Sequence, residues 1–320
     1  MTVPDLTPGP AGPLAATVEP PPAVLPPRAA LHRPVRTGRG ILLMCVVSFI
    51  FAVQDALSRQ LGSAYSPFLI VMLRYWFFAA FATVLVARAP GGLRAASRAR
   101  RPWLQVLRGL LLIADVAFCI FAFVRLGLVN THAVFAIYPL LIVALSGPVL
   151  GERIGWRRWL AVAVGFAGMM IVLQPGGGGL SLDMLLPLAA AICFALYSVL
   201  TRLVSREDTV LVSFYWTSIA GAVAATALGL LHWQMLTPAD WGWLAALCLA
   251  AATSHWLLIR AYELAEASVL QPFAYTQLVW IVLIGTAVFG ERLEAHVVAG
   301  VSIIVGAGLF SLWRARVRAR

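Results

Sequence analysis

The chain contains one stretch twice. Residues 122–153 read AFVRLGLVNTHAVFAIYPLLIVALSGPVLGER, and residues 261–292 read AYELAEASVLQPFAYTQLVWIVLIGTAVFGER. An offset of 139 (261 − 122) carries Ala122 to Ala261 and Gly151-Glu152-Arg153 to Gly290-Glu291-Arg292, with no gap between these anchors. Further upstream, Phe51–Arg59 lies over Phe194–Arg202 at an offset of 143 (202 − 59), so the second half is four residues shorter between its anchors. A period of this length is half a protein, not a solenoid unit.

Composition says what surrounds the two halves. Hydrophobic residues make up 61% of the 320, charged residues only 12%, and the mean hydropathy is +0.89. Soluble domains carry about 25% charged residues, so the solvent here is lipid. The net charge of +11 comes entirely from arginine, and no soluble basic domain exists to carry a nucleic acid. The four cysteines (Cys45, Cys119, Cys193, Cys248) lie inside apolar runs without metal-ligand spacing and read as small packing residues.

A span needs about 20 apolar residues. Runs of that kind fall near 41–58, 66–87, 103–124, 127–149, 156–173, 184–203, 209–231, 241–262, 268–289 and 294–313. The expected fold class is therefore an all-α integral membrane protein, about ten transmembrane helices in two inverted five-helix repeats. Five is odd, so the second copy runs oppositely through the bilayer. The expected parts are a disordered Pro-rich cytoplasmic tail (1–39), a first repeat (40–176), a second repeat (180–314) and a short basic cytoplasmic tail (315–320). Arginines cluster in the N-terminal tail, after spans two, four and six, and at the C-terminus, while Arg59, Arg125 and Arg292 fall on the opposite side. The positive-inside rule predicts that both termini are cytoplasmic, and the expected location is a bacterial inner membrane. Most tryptophans, such as Trp103, Trp156 and Trp313, sit at span ends as interfacial belts.

Two five-helix repeats, each with an apolar helix, a Gly-Glu-Arg turn and a Gly-rich last helix, resemble the EamA family of the drug/metabolite transporter superfamily. The resemblance rests on residues 151–159, GERIGWRRW, followed by Gly165, Gly168 and Gln174-Pro175-Gly176. Its second copy is Gly290-Glu291-Arg292 followed by Gly300, Gly306 and Gly308. The resemblance covers roughly 40–314 and implies a ten-helix secondary carrier whose central cavity is lined by helices one, three and four of each repeat. It implies no single substrate, because the family moves amino acids, nucleosides, vitamins and drugs.

An ionisable side chain inside a span costs at least about 2.5–3.5 kcal/mol, so each needs a reason. Asp55, Arg74, Arg108 and Asp115 are such residues. Asp55 and Arg74 lie at similar depth and can pair across helices one and two. Asp115 shares a helix face with Arg108, two turns away, and with Cys119. Arg108 reads equally as a cavity residue or as an anchor reaching the headgroups. A carboxylate here suits a coupling proton or a substrate amine, and a guanidinium suits a substrate carboxylate. The register maps Asp115 to Ser254, Asp55 to Ser198, Arg74 to Thr217, His132 to Gln271 and Tyr138 to Gln277. Ser198 and Ser254 are thereby candidates, and His255 joins them as Ser254's neighbour. Tyr138, Tyr197 and Gln277 offer stacking surface and hydrogen bonds. His132 reads as a packing group, Glu152 and Glu291 as turn-forming helix ends, and Pro139 as a mid-helix loosening point.

The expected function is transport of a small organic solute by alternating access, without catalytic residues, metal or cofactor. The expected partners are that solute, the bilayer and a coupling proton or ion, and a homodimer stays open. The other classes considered are a membrane-embedded enzyme using intramembrane Asp and His, and a scaffold without transport. No span carries metal-ligand spacing, and no Walker-type loop exists to power an ATP-driven pump.

Overall fold

The computed structural model describes residues 37–151, 155–173, 182–265 and 267–318. The tail read as disordered, Glu152-Arg153-Ile154 and Gln174-Pro175-Gly176 lie outside them, apart from the last three residues of the tail. The described residues form α-helices: α1 (Thr37–Ala64), α2 (Pro67–Ala87), the short α3 (Gly92–Ala96), α4 (Pro102–Phe135), α5 (Tyr138–Leu150), α6 (Trp156–Leu173), α7 (Leu185–Val204), α8 (Val210–Gly229), α9 (Pro238–Leu264), α10 (Ala267–Ala274), α11 (Thr276–Phe289) and α12 (Ala295–Arg318). Among the described residues seven helical stretches are long and apolar enough to cross a bilayer, accompanied by the shorter apolar helices Tyr138–Leu150, Trp159–Leu173 and Ala295–Phe310. Their outward faces display large apolar side chains such as Val223, Leu231 and Val288, which only lipid can cover. The protein is an all-α integral membrane protein.

Local chemistry explains the helix ends. Pro67, Pro102 and Pro238 open their helices at the first position, where a missing N–H costs nothing. Within α4 the backbone leaves helical geometry at Gly127 (φ 82°, ψ 172°), so the third expected span ends there and the next begins at once. The fourth expected span is itself divided. It runs from Leu128 to Phe135, breaks at Ala136 and Ile137, and resumes as α5. Pro139 therefore sits in the first turn of α5 rather than mid-helix, because its ring and missing N–H are best tolerated at a fresh start. The second copy breaks at Tyr275, the register equivalent of Ala136, between α10 and α11. The break recurs although the residues that make it differ.

Helix pairing obeys the repeat. The α4–α7 and α1–α9 pairs are both extensive and exchange with each other when the halves are swapped; α2–α8 and α6–α12 map onto themselves. That is the pairing of a pseudo-twofold bundle. At α6–α12 the backbones touch: a Cβ on Gly168 would lie 2.8 Å from the Gly300 carbonyl oxygen, and one on Gly300 would lie 2.6 Å from that of Gly168.

Hydrogen bonds sort the connections into two ends. At one end Tyr65 meets Asp240 (2.6 Å), Arg125 pairs with Asp183, and Arg59 pairs with Glu291. At the other, the Arg100 amide meets Asp208 (3.0 Å), Arg101 pairs with Glu207 (2.9 Å), and Arg206 reaches the Leu150 carbonyl (3.2 Å). Between these ends lies the polar centre of the bundle.

Candidate functional site

Helical spacing gathers the central side chains. Phe51, Gln54, Asp55 and Ser58 fall at i, i+3, i+4 and i+7 on one face of α1; Asp115, Cys119 and Phe123 form a stripe on the first part of α4. His132 and Phe135 come from α4 beyond Gly127, Phe194 from α7, His255 from α9, Gln277 from α11 and Arg74 from α2. Together they line a partly open cavity of about 40 Å³. A water needs about 10–15 Å³ on this measure, so the space holds a few waters.

Asp55 is the centre of a hydrogen-bonded group. His132 Nε2 lies 3.1 Å from its Oδ2, the Gln277 amide nitrogen donates to the same oxygen at 3.0 Å, and Gln54 reaches Oδ1 at 3.4 Å. The His132 ring stacks flat on Phe123, 5.4 Å between centroids and 2° from parallel, and its Nδ1 lies 3.2 Å from the Leu128 carbonyl oxygen. The expected Asp55–Arg74 pair does not form. Arg74 (3% exposed) instead places Nη2 3.4 Å from His255 Nε2, a contact that requires a lone pair on that nitrogen. Asp115 (6% exposed) contacts the Cys119 thiol at 3.6 Å. Among the described residues neither Arg74 nor Asp115 forms an ion pair, and both face the cavity.

Of the sequence candidates, Asp55, Arg74, Asp115, His255 and Gln277 line the cavity; the others lie around it. Arg108 is fully buried and neither lines the cavity nor reaches the headgroups: Nε donates to Thr201 Oγ1 at 3.0 Å, Nη1 bonds the Gln105 side chain, and the guanidinium rests 5.3 Å above the Tyr197 ring. Tyr197 is thereby occupied in the same α4–α7 contact. Tyr138 packs behind the wall against Phe194 (5.0 Å). Ser254 supports Gln54 from behind at 3.2 Å, and Ser198 is buried within α7.

Sequence reasoning missed His132, Gln54 and the aromatic walls. Phe51 lies one turn before Asp55 and Phe123 two turns after Asp115, a spacing that marks them as neighbours of the acids. Nothing local marks His132, whose partner is on another helix.

Glu291 makes a second polar assembly. Gly290 takes a left-handed conformation (φ 64°) that ends α11, and the Glu291 amide closes on the Gly285 carbonyl oxygen at 3.0 Å. The Glu291 carboxylate then accepts from the Leu128 and Val129 amides at 2.8 and 2.7 Å, at the helix N-terminus created by Gly127, and pairs with Arg59. Arg59 in turn lies 4.1 Å over the Phe289 ring. A carboxylate on exposed helix-start amides is favourable, so this helix end is a clasp between the two halves.

Residues 38–174 and 182–313 match the EamA-like transporter family, two copies on one chain. The chain belongs to that family. Among the curated relatives, this EamA protein is 25% identical over 264 residues to the S-adenosylmethionine uptake transporter of Rickettsia prowazekii (strain Madrid E), covering 82% of this chain and 88% of the relative. It is 26% identical to the riboflavin transporter of Vibrio cholerae serotype O1 (86% and 92% covered) and 27% identical to the pseudopaline exporter CntI of Pseudomonas aeruginosa (83% and 93%). A solved crystal structure shares the fold with a TM-score of 0.62 at 20% identity, covering 88% of this chain and 97% of the other. The relatives' named solutes are small molecules and the relatives are bacterial, and this chain is a multi-pass membrane protein of a transporter family.

Proposed function

We infer that the protein is a secondary-active carrier that moves a small organic solute by alternating access of its two inverted halves. The observation that carries this reading is the central cavity, where Arg74 and Asp115 face a lipid-buried space without ion-pair partners among the described residues. Buried charges of opposite sign are costly unless something complements them, and a solute bearing both a carboxylate and a cation does so. Aromatic walls from Phe51, Phe123, Phe135 and Phe194 suit a planar ring beside those charges. S-adenosylmethionine combines a carboxylate, an ammonium, a sulfonium and adenine, and it is the named solute of several relatives. Riboflavin has the planar ring without the fixed charges. A cavity of about 40 Å³ is far below the roughly 300–1,000 Å³ of small-molecule sites, so helices must separate for entry, as alternating access requires.

The test is uptake of labelled S-adenosylmethionine into proteoliposomes, with riboflavin and free methionine as competitors. Asp115→Asn keeps the shape and removes the charge. Its expected result is a loss of flux of about tenfold or more (1.4 kcal/mol or more in the carrier–solute interaction) with expression and folding retained. Wild-type flux in that variant removes Asp115 from the site, and flux of riboflavin alone overturns the charged-solute reading.

A further inference from the structure

The geometry points to the Asp55–His132 pair, bridged by Gln277, as a binding site for one exchangeable proton. The Leu128 carbonyl oxygen can only accept, so the 3.2 Å contact fixes a hydrogen on His132 Nδ1. The remaining contact, Nε2 to Asp55 Oδ2 at 3.1 Å, then needs one more proton, as imidazolium with carboxylate or as imidazole with carboxylic acid. Either way the pair holds a single proton beyond the one pinned on Nδ1. Gln277 makes the empty state tolerable. Its amide nitrogen lies 3.0 Å from Asp55 Oδ2 and 3.3 Å from His132 Nε2, so its two N–H groups can satisfy both atoms once the proton has left. A static ion pair has no use for that second arrangement. The proton arrives from and returns to water through the cavity, with no bond to carbon or sulfur formed or broken.

The titratable and charged groups around the pair are Asp115 and Cys119 on α4, Arg74 on α2 and His255 on α9 across the cavity, Tyr138 on α5 behind Phe135, and Arg59 one turn along α1 from Asp55. The pair also touches the clasp. Leu128 accepts from His132 through its carbonyl and donates to Glu291 through its amide. Asp55 and Arg59 share one face of α1. Movement of the proton therefore acts on the same turn of helix that Glu291 grips. The role of this proton in driving transport rests on the carrier reading above; its presence on the pair does not.

Two measurements separate these. In the full chain labelled with 15N-histidine and held in lipid, the His132 resonances, identified by their loss in His132→Gln, should show a protonated Nδ1 and an Nε2 in a strong hydrogen bond, either carrying the shared proton or accepting it from the Asp55 carboxyl. In Asp55→Asn the Nε2 resonance should shift to that of an imidazole without this shared proton, while Nδ1 is unchanged. An Nε2 signal indifferent to Asp55→Asn overturns the site. In proteoliposomes, accumulation of labelled S-adenosylmethionine under an imposed pH gradient should fall about tenfold or more in both variants, with exchange at equal pH retained. Gradient-driven accumulation equal to the wild type overturns the coupling. A wild type that moves no solute but shows the Nε2 signature retires the carrier reading and supports the proton site.

Discussion

Arg108 illustrates how a charge is kept at the residue scale. Its guanidinium is 0% exposed and has no carboxylate in contact among the described residues; Thr201, Gln105 and the Tyr197 face hold it, and Gln105 passes the contact on to Asp208 at 2.8 Å. A planar fork can satisfy two helices at once, whereas an ammonium is a single point of charge. Arg108→Lys should therefore leave a buried acceptor unpaired at about 1–3 kcal/mol and lower the thermal unfolding midpoint in detergent. A midpoint equal to the wild type would mean that the fork does not pin α4 to α7. The charged cavity residues could be found in the sequence because Asp55, Arg74 and Asp115 interrupt apolar runs at a cost that demands a reason. Arg108 was found by the same rule and lies elsewhere, since insertion cost reports burial and not the direction of the side chain. His132 escaped because its meaning comes from Asp55 and Gln277, on helices 77 and 145 residues away in the chain.

At the scale of elements, the repeated Gly-Glu-Arg has a mechanical reading that its letters did not reveal. Glycine supplies the left-handed stop of α11, and glutamate turns back to cap a helix of the other half. The sequence suggested only a turn: the span boundary next to Gly127 was legible, but that Glu291 of the other half would reach the amides opened there was not, because the two are more than 160 residues apart in the chain. The cap makes Gly127 intolerant of a side chain: φ is +82°, and a Cβ would lie 2.6 Å from Glu291 Oε1. Gly127→Ala should cost on the order of 1–3 kcal/mol from backbone strain alone and push the clasp open. Glu291→Gln keeps the shape but gives up the charge on the helix start, and should cost about 1 kcal/mol or more there. Accessibility of a cysteine placed at Ser58, on the cavity wall, checks both. Faster labelling than in the parent is expected, and unchanged labelling would show that the clasp does not close this end. At α6–α12, Gly168→Val should separate backbones now in contact and lower the unfolding midpoint more than Gly306→Val, where a Cβ meets open space.

The whole molecule is organised by the odd number of helices expected in each half. The offsets of 139 and 143 were enough to anticipate two halves, and the exchange of the α4–α7 and α1–α9 pairs under the repeat is the same symmetry in three dimensions. Which end faces the cytoplasm depends on charge instead. The end holding Arg100, Arg101 and Arg206 also holds the connection with Arg88, Arg94 and Arg98, whereas the clasp end holds Arg59, Arg125 and Arg292. Arginines near short connections resist translocation whether or not an acid lies beside them, so the end that carries more of them is the cytoplasmic one. Reporter fusions near Ala95 and Arg157 should therefore be active as cytoplasmic domains, and a fusion near Pro238, beside the Tyr65–Asp240 contact, as an external one. The reverse pattern would turn the clasp into an inner gate and invert the side from which the Asp55–His132 pair meets water. A mixed pattern, with Ala95 and Pro238 on one side, would contradict the hydrogen bonds that hold those two connections at opposite ends of the bundle.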